Sequence, residues 1–385
     1  MQGSRDDQLI EQAIKPTFAA KRSHVGMPPL VKKSSRSIAY FEFWPTFIVY
    51  LPIFFLWLYK ALRFRGLTVP LSANPGFHLG GLVGESKAEN FLQAGLYASQ
   101  FIAPWCRIIN NRSDIQATTK LAAKEMKEAG LSYPIIAKPD MGCRGEGVRI
   151  IRASAQLEEY FQDFPNRETV ILQELIPWEP EAGIFYIRHP GESRGQIFSL
   201  TLKYQPYVYG NGVDTLRTLI EADPRAGKLT HLYLKRHKNY LDDVLEQGQP
   251  FRLAFAGSHS RGAIFKDGRR LITEELTTAF DQICKDIDGF YFGRFDVRFA
   301  NEHSLKEGKE LRIVEINGIS SEAAHIWDAD SSLTEVYRTL FSQYNTLFEI
   351  GAVNRSKGHK AGSVAQIIKG LVRELWVGRQ YPDTE

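Results

Sequence analysis

The chain is expected to fold as an α/β protein whose α+β lobes follow an apolar N-terminal segment. Three observations predict this. Segments of helical and strand periodicity alternate from Asn111 onward, 385 residues are too many for one ordinary compact domain, and residues 43–59 run for 17 positions without a charge.

Hydrophobic residues at 43% and charged residues at 24% match an average soluble protein, which argues against global disorder and against a polytopic membrane protein. Lys and Arg exceed Asp and Glu by 48 to 44, too small a surplus for a nucleic-acid footprint, so no nucleic-acid partner is expected. The excess lies in residues 1–37, where seven basic residues face three acidic ones. That stretch reads as a disordered basic leader, and a basic leader before an apolar run is a membrane-facing pattern. Cys106, Cys143 and Cys284 are odd in number and lack CxxC spacing, so neither a disulfide framework nor a zinc site is indicated. They fit a reducing compartment.

Residues 38–66 hold the membrane candidate. A 17-residue helix spans about 26 Å, short of a hydrocarbon core of roughly 30 Å, and Pro45 and Pro52 would disturb it. Trp44, Tyr50, Trp57 and Tyr59 suit an interfacial belt. The expectation is a membrane-associated segment, spanning or kinked, on the cytoplasmic face of the membrane, with the remaining chain in the cytoplasm. The competing reading is a buried helix of the folded domain.

Residues 67–110 contain Asn74, Pro75, Gly76, Gly80 and Gly81 and then a helix-like stretch over 86–100, together a small accessory unit. Asp114 caps a helix that Gly130 ends. Residues 134–139 and 147–151 read as strands joined by a glycine-rich turn, 154–164 as an acidic helix and 168–176 as another strand. A strand over 197–204, a turn at Gly210 to Gly212 and a helix over 214–222 follow. Residues 293–300 and 310–317 read as two strands whose polar connection suits an antiparallel pairing. Residues 363–377 form an amphipathic basic helix, packed on the body or lying at a membrane surface.

Chemistry concentrates at two places. Strand alternation puts Glu315 and Asn317 on one face, and Asp296 on the neighbouring strand adds a third hard oxygen, a donor set suited to Mg²⁺ that also takes phosphate oxygens. Arg294 would share the face of Asp296 and neutralise charge on a transferred phosphoryl group. An ion-pair ladder on an exposed sheet face is the bland alternative. The second place is the run KPDMGCRGEGV, residues 138–148, where closely spaced glycines let backbone N–H groups approach phosphates and Lys138 supplies charge. This loop turns back into a strand, so it is neither a Walker A loop nor a dinucleotide fingerprint.

In order, KPDMGCRGEGV, QELIPWEPE, LKYQPYVYGNGVDTLRTLI, GRFDVRF and VEING resemble the ATP-grasp superfamily over residues 110–350, D-alanine:D-alanine ligases and the ATP-grasp part of cyanophycin synthetases above all. The resemblance implies two lobes clasping ATP over residues 111–350, a lid lobe to about 180 and a catalytic lobe from about 181, with 351–385 as the C-terminal helix. It implies that Lys120 and Lys138 contact ATP phosphates, with Lys124 as the alternative to Lys120. Gly142, Arg144, Gly145 and Gly147 would form the lid. Gln173, Glu174, Leu175 and Ile176 would read adenine from the interlobe hinge, and Glu181, or Glu179, would bind ribose. Asp296, Glu315 and Asn317 would hold Mg²⁺ or Mn²⁺, Arg294 would stabilise the phosphoryl group, and Lys203 would close over the phosphates.

The implied activity is ATP-dependent joining of a carboxylate to an amine, an amino acid or peptide, through an acylphosphate. The alternatives are a catalytically silent ATP-binding scaffold or sensor at a membrane and a kinase acting on a non-carboxylate acceptor. The segment before Lys120 is too short for the ligases' full substrate domain, so a D-alanine site is not expected. Glu85 stands at the spacing of the ligases' amine-binding glutamate, a match that chance explains equally well. Ser320, Ser321 and His325 line an acceptor site or cap the next helix.

Overall fold

The computed structural model describes residues 23–30, 38, 41, 44–142, 145–255, 257 and 259–384. Most of the basic leader lies outside the described residues. The chain divides into two compact units, one of residues 1–25 and 204–264, the other of residues 26–203 and 265–385.

In the larger unit the apolar run forms the helix Thr46–Arg63, which contains Pro52 and no acidic residue. Val49 and Ile53 are buried, and Trp57 packs edge-on against Tyr344 and Phe348 of the helix Leu333–Ser356, with ring centroids 6.0 and 5.1 Å apart. Among the described residues no helix is long and apolar enough to cross a membrane. Part of this helix is thus core, as the competing sequence reading has it, while its other side is exposed.

Residues 69–84 form two short 3₁₀ turns whose Leu71 and Leu79 enter the core. Asn74 fixes them: its amide donates to the carbonyls of Gly80 (3.2 Å) and Phe292 (2.6 Å), and its oxygen accepts from Tyr291 and Phe292 N–H. The helix expected over 86–100 is only Lys87–Leu92, started by Ser86 accepting from Glu89 N. It stops because the chain is drawn to Asp286, whose carboxylate takes the N–H groups of Tyr97 and Ala98. Any side chain at Gly95 would collide with that carboxylate.

A four-stranded sheet follows, built from β1 (Trp105–Ile109), β2 (Ile135–Pro139), β3 (Arg149–Ile151) and β4 (Thr169–Glu174) in the order β1-β4-β2-β3, antiparallel throughout. Strand β1 comes from the stretch read as part of the accessory unit. The helices Ile115–Glu128 and Ser154–Asp163 supply Met126, Leu157, Tyr160 and Phe161 to a core shared with Ile135, Val170 and Leu172. Asp114 accepts from Ala117 N and caps the first helix.

The second sheet contains β5 (Glu181–Ile187), β6 (Gln196–Tyr204), β9 (Ile264–Asp267), β10 (Phe292–Phe299) and β11 (Leu311–Asn317) in the order β11-β10-β5-β6-β9. The pairings β5–β6, β5–β10 and β10–β11 are antiparallel, so these lobes are α+β rather than doubly wound. The polar connection between β10 and β11 carries one short helix, Glu302–Lys306, capped by Asn301. The helix Val364–Gly378 closes the chain with a capping box between Ser363 and Gln366.

The smaller unit pairs β7 (Tyr207–Tyr209) with β8 (Pro250–Arg252) and packs Leu216, Ile220, Tyr233 and Phe251 into its own core. The Arg225 guanidinium donates to the carbonyls of Gly262 (3.0 Å) and Ala263 (2.9 Å) within it.

Candidate active site

Register puts the charged residues of the second sheet together. Asp296 lies directly opposite Glu315, and Arg294 opposite Asn317, so all four side chains belong to one face. Between Asp296 and Val297 the pairing skips Val314, a bulge that leaves this residue outside the ladder. On the other flank Asp296 faces Gly183, where a Cβ would come within 3.0 Å of the Arg294 side chain. The missing side chain at Gly183 gives Arg294 room over β5.

Asp296 is the centre of a buried charge network. Its carboxylate accepts from Arg294 Nε (2.9 Å) and pairs with Lys203 Nζ (2.9 Å). Although burial opposes ionisation, the neighbouring Arg294 and Lys203 cations hold its carboxyl down at about 2. Lys203 also pairs with Glu181 (2.9 Å), and the second Glu181 oxygen meets Arg298 (3.0 Å). Both Glu181 oxygens are therefore engaged by cations, and Glu179 contributes its carbonyl to Arg298. The sequence-based role of Lys203 above the phosphates and of Glu181 at ribose corresponds here to an ion pair inside the second sheet.

From the first sheet, Lys138 is buried and donates to Gln173 Oε1 (2.7 Å) and to the carbonyl of the bulged Val314 (2.8 Å). Desolvation lowers this lysine to about 8. Gln173 and Glu174 end β4; Ile176 is buried, and Leu175 is half-buried in the connection to the second sheet. Glu174 N donates to the Pro104 carbonyl. Lys120 is exposed on the helix Ile115–Glu128, and Lys124 pairs with Glu128. Neither joins the network described here.

The glycine-rich loop follows Lys138. Gly142, Gly145 and Gly147 have φ values of 132°, 71° and 67°, which L side chains rarely adopt. Arg144 lies outside the described residues, as does Cys143. The C-terminal tail holds this loop: Tyr381 donates its hydroxyl to the Met141 carbonyl (2.6 Å), Gly147 N donates to Thr384 Oγ1 (3.0 Å), and that hydroxyl donates to the Gly145 carbonyl (2.9 Å). The Tyr381 ring stacks on Phe164 at 5.3 Å.

A recess joins these parts. Gly142 of the loop and Glu315 and Asn317 of β11 line it, together with Glu85, Lys87 and Glu374. Lys87 bridges its walls, donating to the Gly142 carbonyl (2.7 Å) and pairing with Glu315 (3.4 Å). Glu85 is half-buried, and desolvation raises its carboxyl to about 7; it accepts from Asn90 Nδ2 (2.6 Å) and Gly318 N (2.9 Å). Glu374 accepts from Gly84 N (3.0 Å). Ser320 lines the recess, whereas Ser321 caps the Gly318 carbonyl and His325 is buried against Ser199.

The sequence pattern missed Lys87, Glu374, Tyr381 and Thr384. Only Lys87 carried a signal, its position at the start of a capped helix beside Glu85. The others lie in a C-terminal stretch whose amphipathic pattern says nothing about a loop more than 230 residues away.

Asp296, Glu315 and Asn317 offer two carboxylates and an amide, all hard oxygen donors, and Asn317 Nδ2 is buried without a partner among the described residues. No group of three or more acidic, His or Cys residues among the described residues could hold a metal unaided. A magnesium ion held by these three oxygens would need further oxygens from phosphates and water.

No family model matches the chain, and no curated protein matches it. Among solved structures it is similar to a bifunctional glutathione synthetase from Pasteurella multocida, with 15% identity, a TM-score of 0.35, and coverage of 66% of this chain and 36% of that one. It is also similar to the VanG D-Ala:D-Ser ligase from Enterococcus faecalis, with 15% identity, a TM-score of 0.36, and coverage of 67% and 61%. For the D-alanine-D-alanine ligase from Coxiella burnetii the values are 10%, 0.37, 74% and 60%. The chain thus spans about a third of the first and about three-fifths of the other two. At this distance the likeness carries no functional argument, which rests instead on the residues above.

Proposed function

We propose that the chain is an ATP-grasp ligase that uses Mg-ATP to activate a carboxylate and join it to an amine. One observation carries the reading: Arg294, Asp296, Glu315 and Asn317 share one sheet face, and Glu315 and Asn317 line a single recess with the glycine-rich loop that follows Lys138. Asp296, Glu315 and Asn317 would hold magnesium, which when bound supplies positive charge to the phosphate oxygens. Lys138 and the glycine-rich loop that follows it would bind phosphate oxygens. The hinge over 173–176 takes adenine.

The chemistry asks for positioning and charge, with no side-chain nucleophile. A substrate carboxylate oxygen attacks the terminal phosphorus, and the bond to the ADP oxygen breaks. The amine nitrogen then attacks the acyl carbon, the carbon–oxygen bond to phosphate breaks, and the nitrogen loses a proton. Arg294, held by Asp296, would neutralise the charge that spreads over the transferred group.

The test incubates the protein with Mg-ATP and pooled amino acids and peptides and reads the products by mass spectrometry, with hydroxylamine added in parallel. ADP together with an amide, or a hydroxamate in the trapped reaction, supports the ligase. ATP binding without ADP release for any acceptor sinks it in favour of a silent nucleotide-binding module. ADP with a phosphorylated acceptor and no hydroxamate replaces it with a kinase.

A further inference from the structure

Two helices of the larger unit keep an apolar face that the described residues leave exposed. On Thr46–Arg63 these include Phe47, Phe54, Phe55 and Leu62, the last 81% exposed. On Val364–Gly378 they include Ile368, Leu371, Val372 and Trp376, the last 64% exposed. The inner sides of both helices reach one core: Trp57 from the first and Ile367 from the second pack against the cluster of Leu71, Leu79, Leu347 and Ile350. Both helices therefore pack on the same part of the fold.

Charge separates the candidate occupants. Residues 44–66 carry Lys60, Arg63 and Arg65 and no acid, and residues 357–379 carry Lys357, Lys360, Lys369, Arg373 and Arg379 against Glu374 alone. That one acid is turned to the backbone of Gly84, and Arg373 is paired with Glu168, so Lys357, Lys360, Lys369 and Arg379 make the fringe. Apolar and aromatic side chains fringed by Lys and Arg suit an anionic lipid surface, whereas the core of a protein interface is depleted of charge. Because the buried sides of both helices are fastened to the domain, neither can enter the hydrocarbon along its whole circumference.

We propose that the outward faces of helices Thr46–Arg63 and Val364–Gly378 seat the protein on an anionic bilayer, both helices lying along its surface. The basic fringe attracts the headgroups, and Phe, Leu and Trp side chains insert beneath them. This surface is separate from the ligase reading and stands without it.

The test sediments the full chain with vesicles of phosphatidylcholine alone and of phosphatidylcholine with about one-third phosphatidylglycerol. Wild type is expected to pellet with the anionic vesicles, less with the neutral ones, and less as salt rises. The pair F54S/F55S and the pair I368S/V372S are each expected to lower the bound-to-free ratio at least ~10-fold. Leu96→Ser, at an exposed leucine on neither helix, leaves it unchanged. Circular dichroism and ATP binding of each variant exclude unfolding as the cause. Absence of wild-type binding overturns the proposal, as does binding that neither pair alters. A concentration-dependent dimer without vesicle binding, lost in both pairs, replaces the bilayer with a second copy of the chain. An effect of one pair only removes the other helix from the surface.

Discussion

Lys138 on the first sheet donates to the carbonyl of Val314 on the second at 2.8 Å, and Val314 is the residue that the β10–β11 bulge leaves outside the ladder. The irregularity that brings Asp296 opposite Glu315 thus also offers a free carbonyl to a buried lysine. One ammonium links both sheets beside the recess.

Lys138→Gln is expected to weaken ATP binding by roughly 10- to 100-fold, since a charge-assisted contact to phosphate is lost while an amide can still reach Gln173. Isothermal titration with ATP checks this, with circular dichroism confirming the fold. Unaltered affinity would remove Lys138 from the phosphate site.

Asp296→Asn keeps the shape of the side chain and removes the charge between Lys203 and Arg294. ADP release is expected to fall at least ~100-fold, and stability by about 3 kcal/mol because buried Arg294 loses its carboxylate partner and Lys203 keeps only Glu181. Turnover assays and urea denaturation measure the two effects separately.

Gly147→Ala and Gly130→Ala separate the lid from backbone strain in general. Both positions have φ near +70°, so each costs about 1 kcal/mol in stability. Only at 147 would the new methyl approach Pro139 (2.8 Å) and Tyr381 (3.2 Å), while Gly130 has open space. The KM for ATP is expected to rise about 5-fold or more for Gly147→Ala and to stay unchanged for Gly130→Ala.

Two buried histidines give the chain an acid-sensitive window. Burial lowers both His325 and His237 to about 4, so the unfolded chain takes up their protons first. Their stabilisation is complete above pH 6.5 and is lost as pH falls from 6.5 towards 4, on the order of 2 kcal/mol for each. His325→Gln is expected to flatten this dependence in the larger unit, read by urea midpoints at pH 7 and pH 4.5.

Much of the second sheet was legible in the sequence, because strand alternation alone puts Glu315 with Asn317 and Arg294 with Asp296. The glycine-rich turn between two strands was legible for a similar reason, since spaced glycines before a β-branched run mark backbone that other residues avoid. Other features depend on contacts that no local pattern encodes. The helix from Ser86 stops after Leu92 because Asp286 draws the chain away, a partner more than 180 residues distant. The assignment of Glu181 to ribose follows from position along the chain, but its surroundings are set by Arg298 and Lys203 on the two strands flanking β5. The hold of Tyr381 and Thr384 on the loop is invisible for the same reason.

That hold makes the far end of the chain a handle on the glycine-rich loop. A tag fused beyond Glu385 would follow closely on the Thr384 hydroxyl that ties Gly145 and Gly147. Under the ligase proposed above, turnover measured on differently tagged preparations would report on the tag as well as on the protein, and a fluorophore attached there would sense ATP.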